Sequence, residues 1–153
     1  MGEIMNICLL NLEEMKRELL KLREVEFKSY GTLSPYQIFI HCAKTIEYSM
    51  IGYPKMSPTI VRNTIGKVRI KKRLRRQKMK HKLDTDVPGS TVTPDDGSTD
   101  EGIEMLLEMI HKFQNFKGTL QPHYQFGNLT KEQYASYFCI HIRNHLLGLE
   151  EVK

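Results

Sequence analysis

Residues 130–149, TKEQYASYFCIHIRNHLLGL, decide the fold class of this chain. Thr130 with Gln133 three residues later forms a capping box, which is typical of a helix N-terminus. The aromatic and apolar residues that follow recur at steps of three and four, which predicts an amphipathic helix to the end of the stretch. His141 and His145 are four residues apart, so both side chains leave one face of this helix, which we expect to point into the protein.

Three further segments combine an N-cap with the same helical spacing of apolar residues. The helix that begins at Ser34 should extend to about Tyr48 or Met50. Four long amphipathic helices and little β-branched alternation predict an all-α fold, a helical bundle whose core forms between facing helices. The predicted caps are Asn11 with Glu14, Ser34 with Pro35, and Ser98 with Glu101.

The chain between the second and third of the long helices differs in composition from the rest. A periodic apolar segment from Ile60 to Leu74 predicts an additional helix, which runs into a basic segment at 67–82. Residues 83–99, LDTDVPGSTVTPDDGST, combine Pro, Gly, Asp, Ser and Thr without periodicity. They predict a long exposed loop, which is a candidate flap.

Charge is distributed unevenly along the 153 residues. The formal net charge is +5, yet residues 67–82 contain ten Lys and Arg residues and no acid, which leaves 13 basic and 18 acidic residues elsewhere. Such a segment favours salt-sensitive, unspecific contact with nucleic-acid phosphates or an acidic surface. It contains no aromatic residue, so base stacking is not supported, and a solvated helix is the commoner explanation.

Length, cysteine usage and hydropathy restrict the class of protein. A chain of this length fits one domain, 1–153, whose core needs no disulfide or structural metal. Cys8, Cys42 and Cys139 show no CxxC spacing, which favours a reducing, cytoplasmic setting in which they pack as small apolar residues. No segment approaches the roughly 20 apolar residues of a membrane span, and we expect neither an export signal nor a lipid anchor.

A third histidine is expected to face the pair on the last helix. Ile38, His41, Thr45 and Tyr48 recur at helical spacing on the second helix, in a largely apolar stripe. Three neutral imidazoles can bind one divalent ion such as Zn²⁺ or Ni²⁺ and leave a coordination position open, as in catalytic sites. The alternative is that they are hydrogen-bonded core residues, since HxxxH pairs on helices often occur by chance.

Other residues are weaker candidates for metal binding. His81 lies in the basic segment, His111 near a predicted helix end and His123 in a loop. Cys42 is turned about 100° around its helix from His41, and Cys139 about 200° from His141. This placement favours core packing of both cysteines rather than metal binding. HIRNH also lacks the glutamate of the HExxH motif, so a protease of that type has no candidate base.

Two stretches of the sequence resemble the DinB-like superfamily of metalloenzymes, and most of all its branch catalogued as domain of unknown function 1569. They are HCAKTIEYSMIGYP at 41–54 and PHYQFGNLTKEQYASYFCIHIRNHLLGL at 122–149. The resemblance extends over nearly the whole chain. It implies an up-down-down-up four-helix bundle with an extra basic helix and a long loop between the second and third bundle helices.

The same resemblance implies roles for particular residues. His41, His141 and His145 match the histidines that bind a divalent metal in the superfamily. His123 matches a loop histidine, for which a structural role or a place at the pocket rim is as plausible as ligation. Gly127 is implied to be a turn glycine, because glycine tolerates backbone angles that other residues avoid.

The predicted function is that of a metal-dependent enzyme. Characterised members of the superfamily include S-transferases that use a low-molecular-weight thiol, and a hydrolase is the other reaction type that we consider. Tyr48 and Tyr134 lie on the stripes of the histidines and are candidates to orient substrate or donate a proton, although plain packing is the commoner role of such tyrosines. The alternatives are a noncatalytic metal-binding or interaction protein, with a homodimer expected in either case, and an unspecific nucleic-acid binder.

Overall fold

The computed structural model describes residues 11–79 and 85–152. Over these residues the protein is mostly helical, with six helices and one small sheet. The helices are α1 (Leu12–Lys21), α2 (Pro35–Ile51), α3 (Thr59–Asn63), α4 (Ile65–Arg76), α5 (Thr99–Asn115) and α6 (Lys131–Leu146). The strands are β1 (Phe27–Ser29) and β2 (Leu149–Glu151), which pair in antiparallel orientation. Cys8, His81 and the junction of the basic segment with the predicted loop lie outside the described residues.

The hydrophobic core lies between α1, α2, α5 and α6. Helices α2 and α5 pack along each other, α1 contacts α5 and α6, and α6 contacts α2, so α6 faces α2 across the core. Each large apolar side chain buried there contributes roughly 1.5–3 kcal/mol relative to exposure. In the part of the chain that is described, no helix is long and apolar enough to span a membrane. The fully buried core side chains include Leu19, Ile38, Ile103, Leu106, Phe113 and Phe138.

The predicted helix starts are confirmed by side-chain caps. The Asn11 side chain accepts a hydrogen bond from the backbone N–H of Glu14 at 3.0 Å, at the start of α1. The helices α2, α5 and α6 begin with reciprocal capping boxes, in which two otherwise unpaired backbone N–H donors each bond to a side-chain oxygen. These boxes are Ser34 with Gln37, Ser98 with Glu101, and Thr130 with Gln133.

The additional helix predicted from residue 60 onward is divided into two. The break falls at Thr64, whose backbone leaves the helical region and whose hydroxyl donates to the carbonyl of Ile60 at 2.6 Å. After the break, α4 runs with Gly66 buried against the backbone of Gln125. Periodicity could not reveal the break, because the close approach of Gly66 to a distant loop is a tertiary contact.

The last helix ends three residues before the predicted Leu149, at Leu146. The backbone N–H of Gly148 donates to the carbonyl of His145. The carbonyl of Gly148 accepts a hydrogen bond from the backbone N–H of Tyr30 at 2.9 Å. Leu149 is therefore the first residue of β2, and the all-α prediction missed a two-stranded sheet. A strand of three residues carries too few side chains for its alternation to be recognised in a sequence.

The segment between α4 and α5 has no helix or strand at residues 85–98, and it lies along α2. Lys44 donates hydrogen bonds to the carbonyl of Thr91 at 2.9 Å and to the hydroxyl of Thr93 at 2.7 Å. Gln37 donates to the carbonyl of Thr93 at 2.8 Å, and Thr93 is buried. Most other side chains of this segment are exposed or half-buried. These hydrogen bonds hold the described part of the segment against α2.

Candidate metal centre

The three histidines predicted to meet do so in the interior of the protein. His41 extends from the middle of α2, and His141 and His145 extend from α6, which faces it. All three are buried, with at most 2% of their surface exposed. The Nε2 atom of His141 lies 3.2 Å from Nε2 of His41 and 3.2 Å from Nε2 of His145.

This arrangement fits a single metal ion. Nitrogen ligands bind Zn²⁺ at about 2.0–2.1 Å in tetrahedral geometry, which places neighbouring nitrogens about 3.3 Å apart. The ligand atoms of the three rings lie within 4.8 Å of one another, and the two pairs that include His141 match the separation expected around one ion. A ring nitrogen offers one proton or one in-plane lone pair, whereas Nε2 of His141 faces two other ring nitrogens. One cation that accepts all three lone pairs resolves this, so the cluster can hold a metal.

The aromatic side chain of Tyr137 packs against the cluster on the α6 side. The ring of Tyr137 stacks on that of His141, with centroids 5.7 Å apart and an angle of 15° between the planes. Tyr137 is itself buried, and it precedes His141 by one helical turn. Sequence reasoning missed this neighbour, although its signal was present, since Tyr137, His141 and His145 follow one another at steps of four.

The two cysteines of the described chain are buried core residues, as expected. Burial raises the pKa of the Cys42 thiol far above its ordinary value and raises the pKa of Cys139 to about 12. Both side chains therefore remain protonated thiols at neutral pH. A thiol in that state is neither a strong nucleophile nor a strong metal ligand.

The two tyrosines named as catalytic candidates lie in different surroundings. Tyr134 is fully buried, and its hydroxyl donates to the carbonyl of Gln121 at 2.6 Å. Tyr48 is half-buried and packs against Tyr53 at a centroid distance of 5.7 Å. Both lie two helical turns from the nearest site histidine, about 10 Å along the helix axis.

His123 supports the loop that precedes α6. Its Nδ1 atom accepts hydrogen bonds from the backbone N–H groups of Gln125 at 3.1 Å and Phe126 at 3.3 Å. Its ring stacks on that of Phe126 at 4.4 Å, and its backbone pairs in both directions with Gly127. Gly127 has a positive φ of 69°, which confirms it as a turn glycine. His123 is thus a structural residue of this turn, apart from the three-histidine cluster.

The buried state of His123 predicts a dependence of stability on pH. Burial lowers its pKa well below the ordinary value of 6.5, and the charges of Arg73 and Lys67 lower it further. In the unfolded chain the His123 imidazole binds a proton as the pH falls below about 6.5, whereas in the folded chain it stays neutral. The contribution of His123 to the free energy of unfolding is therefore fully present above that pH. It should decline below that pH by up to about 1.4 kcal/mol per pH unit.

Urea unfolding from pH 7 to pH 5, in the presence of a chelator, measures this dependence. The matched variant is His123→Asn, whose amide oxygen can still accept the two backbone hydrogen bonds. We expect the variant to be less stable at pH 7 but to lose stability less steeply towards pH 5. An equal slope in both proteins would contradict the assignment of this dependence to His123.

Comparison with known proteins identifies the family. The sequence profile of a family described as "Protein of unknown function (DUF1569)" matches residues 1–152. No curated protein and no solved structure gives a significant match. Since the matched range spans essentially the whole sequence, this chain belongs to the DUF1569 family.

Proposed function

We propose that this protein is a DinB-like, metal-dependent enzyme in which His41, His141 and His145 hold one Zn²⁺ or Ni²⁺ ion. The observation that carries the proposal is the convergence of three buried imidazole Nε2 atoms, with neighbouring pairs 3.2 Å apart. Neutral histidine nitrogens are the ligands that these ions prefer among uncharged side chains.

The arrangement of the helices supports the DinB-like part of the proposal. In four-helix bundles, cofactor sites are built from side chains on facing helices. Here α2 supplies one histidine and α6 supplies two, and the contacts join α1, α5, α2 and α6 in a closed ring. We propose that these four helices form the up-down-down-up bundle of the DinB-like superfamily, and that α3 and α4 are additions to it.

The number of protein ligands favours catalysis over a structural role. Structural zinc sites use four protein ligands, whereas three protein ligands leave one position for water or substrate. When bound, such an ion acts as a Lewis acid and favours the deprotonated form of a thiol or a water molecule. A chain of this size does not need a metal to complete its core.

The residues around the cluster would control access and orientation. The stacked and buried ring of Tyr137 would hold His141 in one orientation and exclude water from that side. Tyr48 is partly exposed and lies on the same face of α2 as His41. We propose that it orients the substrate. Tyr134 stays a candidate proton donor, although its hydroxyl is already bound to the carbonyl of Gln121.

Two reaction types suit such a site. In thiol transfer, the thiol loses its proton, its sulfur bonds to an electrophilic carbon and that carbon releases a leaving group. In hydrolysis, water takes the place of the thiol. The DinB-like resemblance favours a low-molecular-weight thiol as the co-substrate, with an electrophilic small molecule as its partner.

Activity of the metal-loaded protein tests the proposal. Zn²⁺- and Ni²⁺-loaded protein would be assayed with small thiols and monobromobimane for transfer, and with p-nitrophenyl esters for hydrolysis. We expect turnover in one of the two assays, and we expect the rate to fall by at least about 100-fold in His41→Ala. The control His111→Ala, which removes an exposed histidine of α5, should keep the activity. Bound metal without turnover in either assay would instead indicate a noncatalytic metal-binding protein.

A further inference from the structure

One face of α4 borders a basic cavity of about 490 Å³, which we call the α4 cavity. Arg69, Lys72, Arg73 and Arg76 line it from one face of α4, because residues three, four and seven apart share a helix face. Lys78 and Met79 complete the described part of the lining. Of the six described residues that line the cavity, five are cationic and none is acidic.

The cations of the α4 cavity are not neutralised within the described chain. The ion pairs of the described residues join other cations to acids, and none involves a residue of α4. Like charges at steps of three and four along a helix repel one another. The repulsion between these side chains therefore destabilises the folded protein unless an anion is bound to them. The concave shape of the cavity allows one anion to contact several cations at once.

The inner part of the α4 cavity is held in place. The guanidinium of Arg73 lies over the ring of Phe126, 5.2 Å from its centroid. Gln77 ends α4 in the left-handed conformation, with φ of 55°, and its carbonyl accepts a hydrogen bond from Arg143 of α6. Since α4 is thereby fixed to α6 and to the turn at 123–127, its cationic face is presented by a rigid element.

We propose that the α4 cavity binds a small polyanion that carries phosphate groups. Three of its cations are arginines, whose planar guanidinium groups pair with phosphate through two parallel hydrogen bonds. Its volume falls within the range of about 300–1,000 Å³ that is usual for small-molecule sites. The described lining of this cavity includes none of the three histidines of the proposed metal centre. The cavity is concave, whereas a nucleic-acid duplex would also contact the basic residues on the outer faces of α4.

The helix itself provides a charge-matched control. Arg69 and Arg76 are exposed residues that line the cavity, and Lys71 and Arg75 are exposed residues of the same helix that do not. The pairs Arg69→Gln/Arg76→Gln and Lys71→Gln/Arg75→Gln each remove two positive charges from α4. General attraction of anions to a basic helix would weaken equally in both, whereas a cavity site depends on the first pair alone.

Isothermal titration calorimetry of the full chain with fructose 1,6-bisphosphate, at fixed ionic strength, tests the proposal. We expect saturable binding with one site, weakened at least about tenfold in Arg69→Gln/Arg76→Gln and less than about twofold in Lys71→Gln/Arg75→Gln. Lys72→Gln, also exposed in the cavity, should weaken binding by a smaller factor.

Three results would overturn this assignment. They are the absence of saturable binding to the bisphosphate, an equal loss in the two double variants, and tighter binding of a short duplex DNA that both double variants weaken alike. The last result would make α4 an unspecific nucleic-acid contact. Because the titration does not require an occupied metal centre, its outcome is distinguishable from the failure of the proposed enzyme function.

Discussion

Replacing His141 with alanine should remove the metal from the protein. His141 is the central ligand of the proposed site, since its Nε2 atom lies 3.2 Å from the corresponding atoms of both other histidines. Loss of a partner outside the coordination sphere already weakens metal binding by about 10–100-fold, so loss of this ligand should cost at least about 100-fold. Metal content by mass spectrometry, on protein purified without a metal-affinity tag, and competition with a chelating dye measure the effect.

The control for this substitution is His111→Ala, which removes an exposed histidine from α5 and should retain about one equivalent of metal. Circular dichroism would show whether both variants remain helical. If the unsubstituted protein binds neither Zn²⁺ nor Ni²⁺ after reconstitution, the three histidines are core residues and the proposed enzyme function fails with them.

Gly66→Ala should destabilise the protein by about 2–3 kcal/mol. An alanine normally stabilises a helix by about 1 kcal/mol over glycine, so the intrinsic effect has the opposite sign. At this position an added Cβ would overlap the backbone carbonyl oxygen of Gln125, and a backbone group cannot rotate away as a side chain can. The cost of that overlap should exceed the helix gain. Chemical denaturation and the Tm, lowered by roughly 5–10 °C, measure the effect.

Val68→Ala is the control for the Gly66 variant, because Val68 is on the same helix and 68% exposed. It should change stability by less than about 0.5 kcal/mol. A Gly66→Ala protein as stable as the unsubstituted one would mean that α4 does not dock closely against the turn at 123–127.

Local chemistry in the sequence determined the main helices and the placement of two of the three histidines of the proposed metal site. The capping boxes at Ser98 and Thr130 act over three residues, so the starts of α5 and α6 follow from their own neighbourhoods. The placement of His141 and His145 on one face follows from helix periodicity in the same way. The long-range partner, His41, was also predicted, because its apolar stripe required burial against another helix.

Only the tertiary structure decided the features that depend on distant parts of the chain. The break at Thr64 and the docking of Gly66 need the turn at 123–127, which lies about 60 residues further along the chain. The short sheet forms only because residue 27 pairs with residue 151, and neither strand is long enough to be recognised from its sequence pattern. The separation of three Nε2 atoms that suits one metal ion depends on how α2 and α6 pack, because spacing along one helix cannot set a distance to another.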